Sequence, residues 1–468
     1  MKKVVSIDIG STWTKGALFA LDGPAGPAVL AKRDTPTTQD GLGRGFLAVL
    51  TSLLGLPPET RLGDLPRDIP VYFSSSAKGG LAIAAVGLVP DLTLQLAKLT
   101  AMSAGGKVVR SFSFSLTEDD IAVLESAPPD MILLSGGTDG GNTAYLFENA
   151  ARLAASKLQV PVIFAGNRAA ASRVARILEK KDVVVTENIM PEIGQMNPEP
   201  ARDKIRGLFL DRIVAGRGLG EIVEVLGSRP KPTPLGVFEL VAAIPRVRPD
   251  WDDLCVIDMG GATTDVYSNT ESYLETDTVV LKGLREPRNK RTVEGDLGLR
   301  VSARTLWDAG REIILEGLDK AGLPAEAMEG FIAAIAADAG LLPSGEPQKT
   351  LDRILAEACV FLAVSRHTGG WREAFTPQGR VFVQTGKDLR RVKAVVGSGG
   401  YLSRSADAAV MRGALNRLAR PAEERKLAPE RPAFYADAAG LFPLAGNLAE
   451  DYPEEATALA LASLKPLS

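Results

Sequence analysis

Asp8-Ile9-Gly10-Ser11-Thr12-Trp13-Thr14-Lys15 is entered by the strand-like run Lys3 to Ile9 and left through the apolar Gly16 to Leu21. Short apolar runs either side of a Gly/Ser/Thr turn predict a β-hairpin. The pattern returns much later: Leu254 to Ile257 enters Asp258-Met259-Gly260-Gly261-Ala262-Thr263-Thr264-Asp265, and Val266-Tyr267-Ser268 leaves it. Each hairpin is followed at a similar remove by a strand with a glycine loop. In the first case this is Leu133-Leu134-Ser135-Gly136-Gly137-Thr138-Asp139-Gly140-Gly141-Asn142, in the second Val395-Val396-Gly397-Ser398-Gly399-Gly400. A repeat on this scale predicts two homologous α/β lobes facing each other.

The turns carry a specific chemistry. Backbone N–H groups of such a hairpin point into its concavity and bind phosphate oxygens. Gly10 permits close approach, Ser11, Thr12 and Thr14 add donors, and Lys15 neutralises phosphate charge. Asp8 can orient Mg2+ through a coordinated water, because that ion takes one or two carboxylates with phosphates and keeps several waters. One copy alone is equally a plain hairpin with a glycine turn. Two copies suit a polyphosphate gripped between lobes, with Gly260, Gly261, Thr263, Thr264 and Asp265 on the second wall and Asp258 as second metal carboxylate. Gly397-Ser398-Gly399-Gly400 stands between a strand and the helix-like Ser405 to Leu418, so Gly397, Ser398, Gly399 and Gly400 can lie flat against a nucleobase or ribose.

Other motifs stay open. The loop Ser135 to Asn142 reads either as a phosphate site at a helix N-terminus or as the first lobe's remnant of the adenosine loop. Glu294 and Asp296, either side of Gly295, can position an attacking water or support the metal, and equally can cap a helix beginning near Leu299. Arg285-Glu286-Pro287-Arg288-Asn289-Lys290-Arg291 reads as a solvated loop. Glu187-Asn188-Ile189-Met190-Pro191 follows a strand at its carboxyl end, where α/β sites often sit, but a turn explains it as well.

Bulk properties narrow the classes. A chain of 468 residues exceeds what one core usually supports. The Pro-rich and turn-rich segments before Asp252 place a boundary near residue 250, giving lobes 1–250 and 251–468, the second with an alanine-rich helical insertion over about 295–365. A net charge of −3 gives no general attraction to nucleic acid or anionic lipid. Asp8 breaks the N-terminal apolar run and Leu81 to Val89 is too short to span a bilayer, so a cytoplasmic protein is expected. Cys255 and Cys359 fit no CxxC spacing and are expected to be reduced core residues. The single histidine, His367, excludes a multi-His metal centre and is expected to close a helix as a charged C-terminal residue.

The two hairpins and Gly397 to Gly400 resemble the phosphate-1, phosphate-2 and adenosine motifs of the acetate/sugar kinase, Hsp70 and actin superfamily. More narrowly, Leu133 to Asn142 and Glu294-Gly295-Asp296-Leu297-Gly298 resemble the accessory protein of adenosylcobalamin-dependent glutamate (methylaspartate) mutase, the MutL family, which is unrelated to the mismatch-repair protein of that name. The resemblance runs from Lys3 to the Leu441 to Leu461 tail. It implies two duplicated ribonuclease-H-like lobes around a nucleotide cleft, with ATP and Mg2+ bound there. The implied role is a reactivating chaperone, an ATPase serving the subunits of glutamate mutase or an ornithine-type aminomutase, with homo-oligomers allowed. A metabolite kinase, with Glu294 or Asp265 as base, and a nucleotide-controlled scaffold or filament protein are the alternatives. An iron–sulfur dehydratase activator fits poorly, because Cys255 precedes the second hairpin strand rather than forming an accessible pair.

Overall fold

Along β1 (Lys3–Ile9) every residue after Lys3 is buried, so the strand is covered on both faces. A computed structural model of the chain describes residues 2–38, 41–76, 81–216, 219–271, 278–377, 379–420 and 422–468. Period-two alternation sorts the side chains of β1. Val5, Ile7 and Ile9 pack on Phe46, Val49 and Leu50 of the helix Leu42–Leu54, while Val4 points the other way, toward Leu235 and Leu444. β2 (Trp13–Ala20) returns antiparallel, β3 (Ala28–Pro36) adds antiparallel to β2, and β4 (Val71–Ser75) runs parallel to β1.

Between β4 and its next neighbour lies a unit with a sheet of its own. β5 (Leu81–Gly87), β6 (Gly106–Ser113), β7 (Met131–Leu134), β8 (Val162–Phe164) and β9 (Val183–Val185) are all parallel, in the order β6-β5-β7-β8-β9. Separate apolar clusters cover its two faces, as a doubly wound sheet requires. The chain then rejoins the first sheet through β10 (Lys231–Pro232), parallel to β4, completing the order β10-β4-β1-β2-β3.

The second lobe repeats the first. β11 (Leu254–Met259) and β12 (Thr264–Asn269) form the hairpin; β13 (Val279–Lys282) leaves for a small side sheet, and β14 (Asn289–Glu294) adds antiparallel to β12. Helices Ala303–Ala309, Arg311–Ala321, Ala325–Ala337 and Glu346–His367 follow. Strand β15 (Gly370–Thr376) pairs antiparallel with β16 (Gly379–Thr385), which runs parallel to β13, and β17 (Ala394–Ser398) runs parallel to β11. β18 (Arg425–Lys426) edges the side sheet, β19 (Ala433–Asp437) lies parallel to β17, and β20 (Leu464–Leu467) closes the sheet. The order β14-β12-β11-β17-β19 therefore matches β3-β2-β1-β4-β10 strand for strand, with the same orientations. This is the duplicated ribonuclease-H-like arrangement of the actin, Hsp70 and sugar-kinase fold.

The matched topology corrects one expectation. The glycine loop Ser135–Asn142 does not correspond to Gly397–Gly400, because β7 belongs to the separate parallel sheet. The counterpart of β17 is β4: Asp8 pairs with Ser74 as Asp258 pairs with Ser398.

Two helices join the lobes. Thr233–Val247 and Phe442–Gly446 cross at Gly236 and Gly446, where a methyl group on Gly446 would sit 2.6 Å from the Gly236 carbonyl carbon. Val4, Ala17 and Phe19 of the first hairpin and Leu254, Val256 and Tyr267 of the second pack on these helices in one shared cluster. Among the described residues no helix is long and apolar enough to cross a membrane.

Candidate functional site

The shared cluster sets where the carboxylates go. Asp8 follows Val4 on the even face of β1, and Asp258 follows Leu254 and Val256 on the even face of β11, so both stand at the ends of rows that meet the crossing helices. The two turns close identically: Gly10 N–H donates to the Trp13 carbonyl at 3.0 Å, and Gly260 N–H to the Thr263 carbonyl at 2.9 Å. A side chain at Gly10 would put Cβ 2.7 Å from that carbonyl oxygen, which is the reason for glycine there. Ser11 of the first turn and Asp258, Gly260, Gly261, Thr263 and Asp265 of the second line one cleft. Cross-strand register sets Lys15 beside Asp8 but Asp265 beside Asp258, so the first wall is charge-balanced and the second is acidic.

Asp8 is buried and its Oδ1 accepts hydrogen bonds from Ser74 Oγ at 3.0 Å and Thr233 Oγ1 at 2.5 Å. Burial raises its pKa against the pull of Thr233, Lys15 and Ser74. Asp258 is pushed up to about 7, first by burial and then by Asp265, with Asp8 and Asp437 adding and Lys15 opposing. That Asp8 and Lys15 act on Asp258 at all follows from the turns facing each other. Asp265 is raised by burial, and Arg291 opposes this through Nε and Nη2 at 2.9 and 2.6 Å from Oδ1. Asp258 and Asp265 line the cleft, and Asp8 lies close enough to act on Asp258. Among the described residues no group of three His, Cys, Asp or Glu encloses a metal by itself. Mg2+ held through waters and phosphates does not need one.

Gly399 sits at φ +87°, and a methyl group there would fall on the Met259 carbonyl oxygen. The loop Gly397–Gly400 thus lies against the second hairpin beside Asp258. Ser398 is buried and its hydroxyl turns to Asp437, while Gly400 is exposed. Thr12 is exposed on the first turn. Two other hairpin residues face away from the cleft. Thr14 is buried and shares a hydrogen bond with Thr37, whose hydroxyl bonds the Gly10 carbonyl, so it braces the turn from beneath. Thr264 bonds the Cys359 thiol within the helical core.

A family model described as MutL protein matches residues 4–464. Protein MutL of Clostridium tetanomorphum is 34% identical over 464 residues, covering 97% of this chain and 98% of that protein. The chain belongs to the MutL protein family. Among solved structures it is similar to a diol dehydratase-reactivating factor in nucleotide-free form, at 12% identity and TM-score 0.36 over 97% of this chain and 100% of that one. It is also similar to a glycerol dehydratase reactivase, at 11% identity and TM-score 0.36 over 96% and 100%. Both scores mark a loose likeness.

In this MutL-family chain Glu294 and Asp296 cap no helix: the following helix begins at Ala303. Arg366 instead forks between them, with Nη1 at 2.7 Å from both Glu294 Oε2 and Asp296 Oδ1. Burial raises Glu294, and Arg366 opposes this; burial also works on Asp296, but there the Arg366 contacts win and lower it. The run Arg285 to Arg291 is solvated only at its start: Arg285 is exposed, whereas Glu286, Lys290 and Arg291 are buried. Lys290 pairs with Glu286 at 2.5 Å and caps the helix ending at His367 by donating to its carbonyl at 2.7 Å. His367 is therefore not the terminal cation: it is fully buried between Thr292 Oγ1 and Ser268 Oγ, each at 2.8 Å, and burial holds its pKa well below 6.5. Cys255 and Cys359 are free, buried thiols whose pKa burial pushes up to about 12.

The glycine loop Ser135–Asn142 is tied by side chains: Asn167 bonds Gly140 N–H and the Gly141 carbonyl, and Asn188 bonds the Gly137 carbonyl. Asn188 gives the Glu187–Pro191 turn its place. Sequence reasoning missed Ser74, Thr233, Lys107 and Arg291. Only Ser74 had a readable signal, a serine near the end of a buried strand, as Ser398 is.

Proposed function

We propose that this chain binds Mg-ATP between lobes 1–250 and 251–468, hydrolyses it, and uses the cycle to reactivate an adenosylcobalamin-dependent mutase such as glutamate mutase. The observation that carries the reading is the pair of matched turns facing each other: Ser11 of the first lines one cleft with Asp258, Gly260, Gly261 and Thr263 of the second, and Asp8, buried behind the first turn, acts on Asp258. Turn amides of Gly10 to Thr12 and of Gly261 to Thr263, with Lys15, would hold the phosphate oxygens. Asp8 and Asp258 would hold Mg2+ through its waters, and the ion would supply charge neutralisation of the transferring phosphoryl group. Glu294, its carboxyl raised by burial, can orient the attacking water. The loop Gly397–Gly400 would take the adenosine. A cycle that alters affinity for the mutase needs only a few kcal/mol of difference between nucleotide states, about the scale of known couplings.

The choice of partner rests on the resemblance to the accessory protein of glutamate mutase. The test mixes a mutase whose cobalamin has been damaged in turnover with this protein, Mg2+ and ATP. The reading expects release of the damaged corrinoid and return of activity with added coenzyme, dependent on ATP and protein together. Retained corrinoid with phosphorylation of a small acceptor would favour the kinase alternative, and nucleotide-dependent sedimentation the filament one.

A further inference from the structure

Lys107 stands second in β6, at the edge of the inserted parallel unit nearest the cleft. The start of β6 is clamped to the second lobe. The wholly buried Arg291 guanidinium holds Asp265 on the cleft side and donates to the carbonyls of Met102 and Gly106 on the other, the latter at 3.1 Å. Lys107 follows Gly106 directly, and its side chain lines the cleft with Ser11, Asp258 and Gly261. Its ammonium lies across Gly295, where an added methyl group would fall on Cε and Nζ. Its charge acts on Asp265 and Asp296, yet among the described residues no hydrogen bond or ion pair ties it down. Arg291 is already committed to Asp265. A cation held over a glycine at an acidic wall, entering from a third body, is placed for an anion that brings its own metal.

We propose that Lys107 is a ligand for the terminal phosphate of a nucleoside triphosphate in this cleft, so that the inserted unit distinguishes triphosphate from diphosphate. The inference rests on the nucleotide reading of the cleft. A charge-assisted contact to a phosphate is among the stronger hydrogen bonds, and its loss is felt by the triphosphate alone. Because Lys107 and the Arg291 clamp share one strand end, the phosphate then decides how firmly residues 95–113 rest on β14.

Calorimetric titration of a non-hydrolysable ATP analogue and of ADP, each with Mg2+, tests this on the wild type, Lys107→Ala, Lys107→Arg and Gly295→Ala. Lys107→Ala is expected to lose about tenfold or more in analogue affinity, roughly one charged contact, with ADP affinity within about twofold. Lys107→Arg recovers most of it, and Gly295→Ala, which keeps the lysine but displaces its end, repeats the loss. Hydrogen exchange over residues 95–113 slows with analogue in the wild type and not in Lys107→Ala. If the wild type binds both nucleotides and the analogue-to-ADP ratio is unchanged in Lys107→Ala and Gly295→Ala, the inference is wrong while the cleft reading stands. A wild type that binds neither nucleotide overturns both.

Discussion

His367 shows how much a single buried group settles. Enclosed by Thr292 and Ser268 and facing the charges of Lys290 and Lys387, it stays neutral in the folded chain, whereas in the unfolded chain it takes a proton near pH 6.5. The unfolded state therefore binds more protons below that pH. Its contribution to stability is complete above pH 6.5 and is lost as the pH falls toward the lowered folded value, by up to about 1.4 kcal/mol per pH unit. Melting temperatures taken from pH 7.5 to 5.5 should fall more steeply for the wild type than for His367→Gln; equal slopes would contradict the neutral assignment. The identities of Asp8 and Lys15 were legible because two residues seven apart share one hairpin. Their supports were not: Ser74 and Thr233 reach Asp8 from 66 and 225 residues away, and no local pattern records such a meeting.

At the scale of elements, glycines separate structural need from spare freedom. Gly399 combines φ +87° with a side-chain direction blocked by the Met259 carbonyl, whereas a methyl group on its neighbour Gly400 would meet only the end of Arg404 at 3.8 Å. Gly399→Ala should lower unfolding free energy by about 2 kcal/mol or more, and Gly400→Ala by well under 1, measured by denaturant titration. Similar costs would mean that the loop is not seated against the second hairpin. The hairpins themselves were readable, since turn chemistry and flanking apolar runs are local. The assignment of Ser135–Asn142 to the repeat failed because a similar spacing arose from an inserted sheet, and sequence distance does not say which sheet a strand joins. The basic run Arg285–Arg291 misled for a related reason. Lys290 and Arg291 meet carboxylates or carbonyls supplied by distant elements, among them Asp265, Met102 and His367, so the end of a segment that looks solvated is interior.

Over the whole molecule the two lobes meet at the Gly236–Gly446 crossing and through the apolar cluster that both hairpins share. Gly446→Ala would wedge the helices apart at their closest approach. Overpacking of this kind costs about 1–3 kcal/mol. It should also weaken nucleotide binding without touching either turn, since the carboxylates stand at the ends of rows packed on those helices; an unchanged affinity in a destabilised Gly446→Ala would show that the crossing does not set the cleft. In the proposed cycle Asp8 and Asp258, from opposite walls, serve one metal-bound nucleotide. Calorimetric titration of Mg-ATP into the wild type, Asp8→Asn and Asp258→Asn tests it most directly. One site per chain is expected, with a loss of about a hundredfold or more in each variant, roughly 2.7 kcal/mol, and cooperative unfolding retained without nucleotide; wild-type affinity in both variants would rule out a shared metal-nucleotide site.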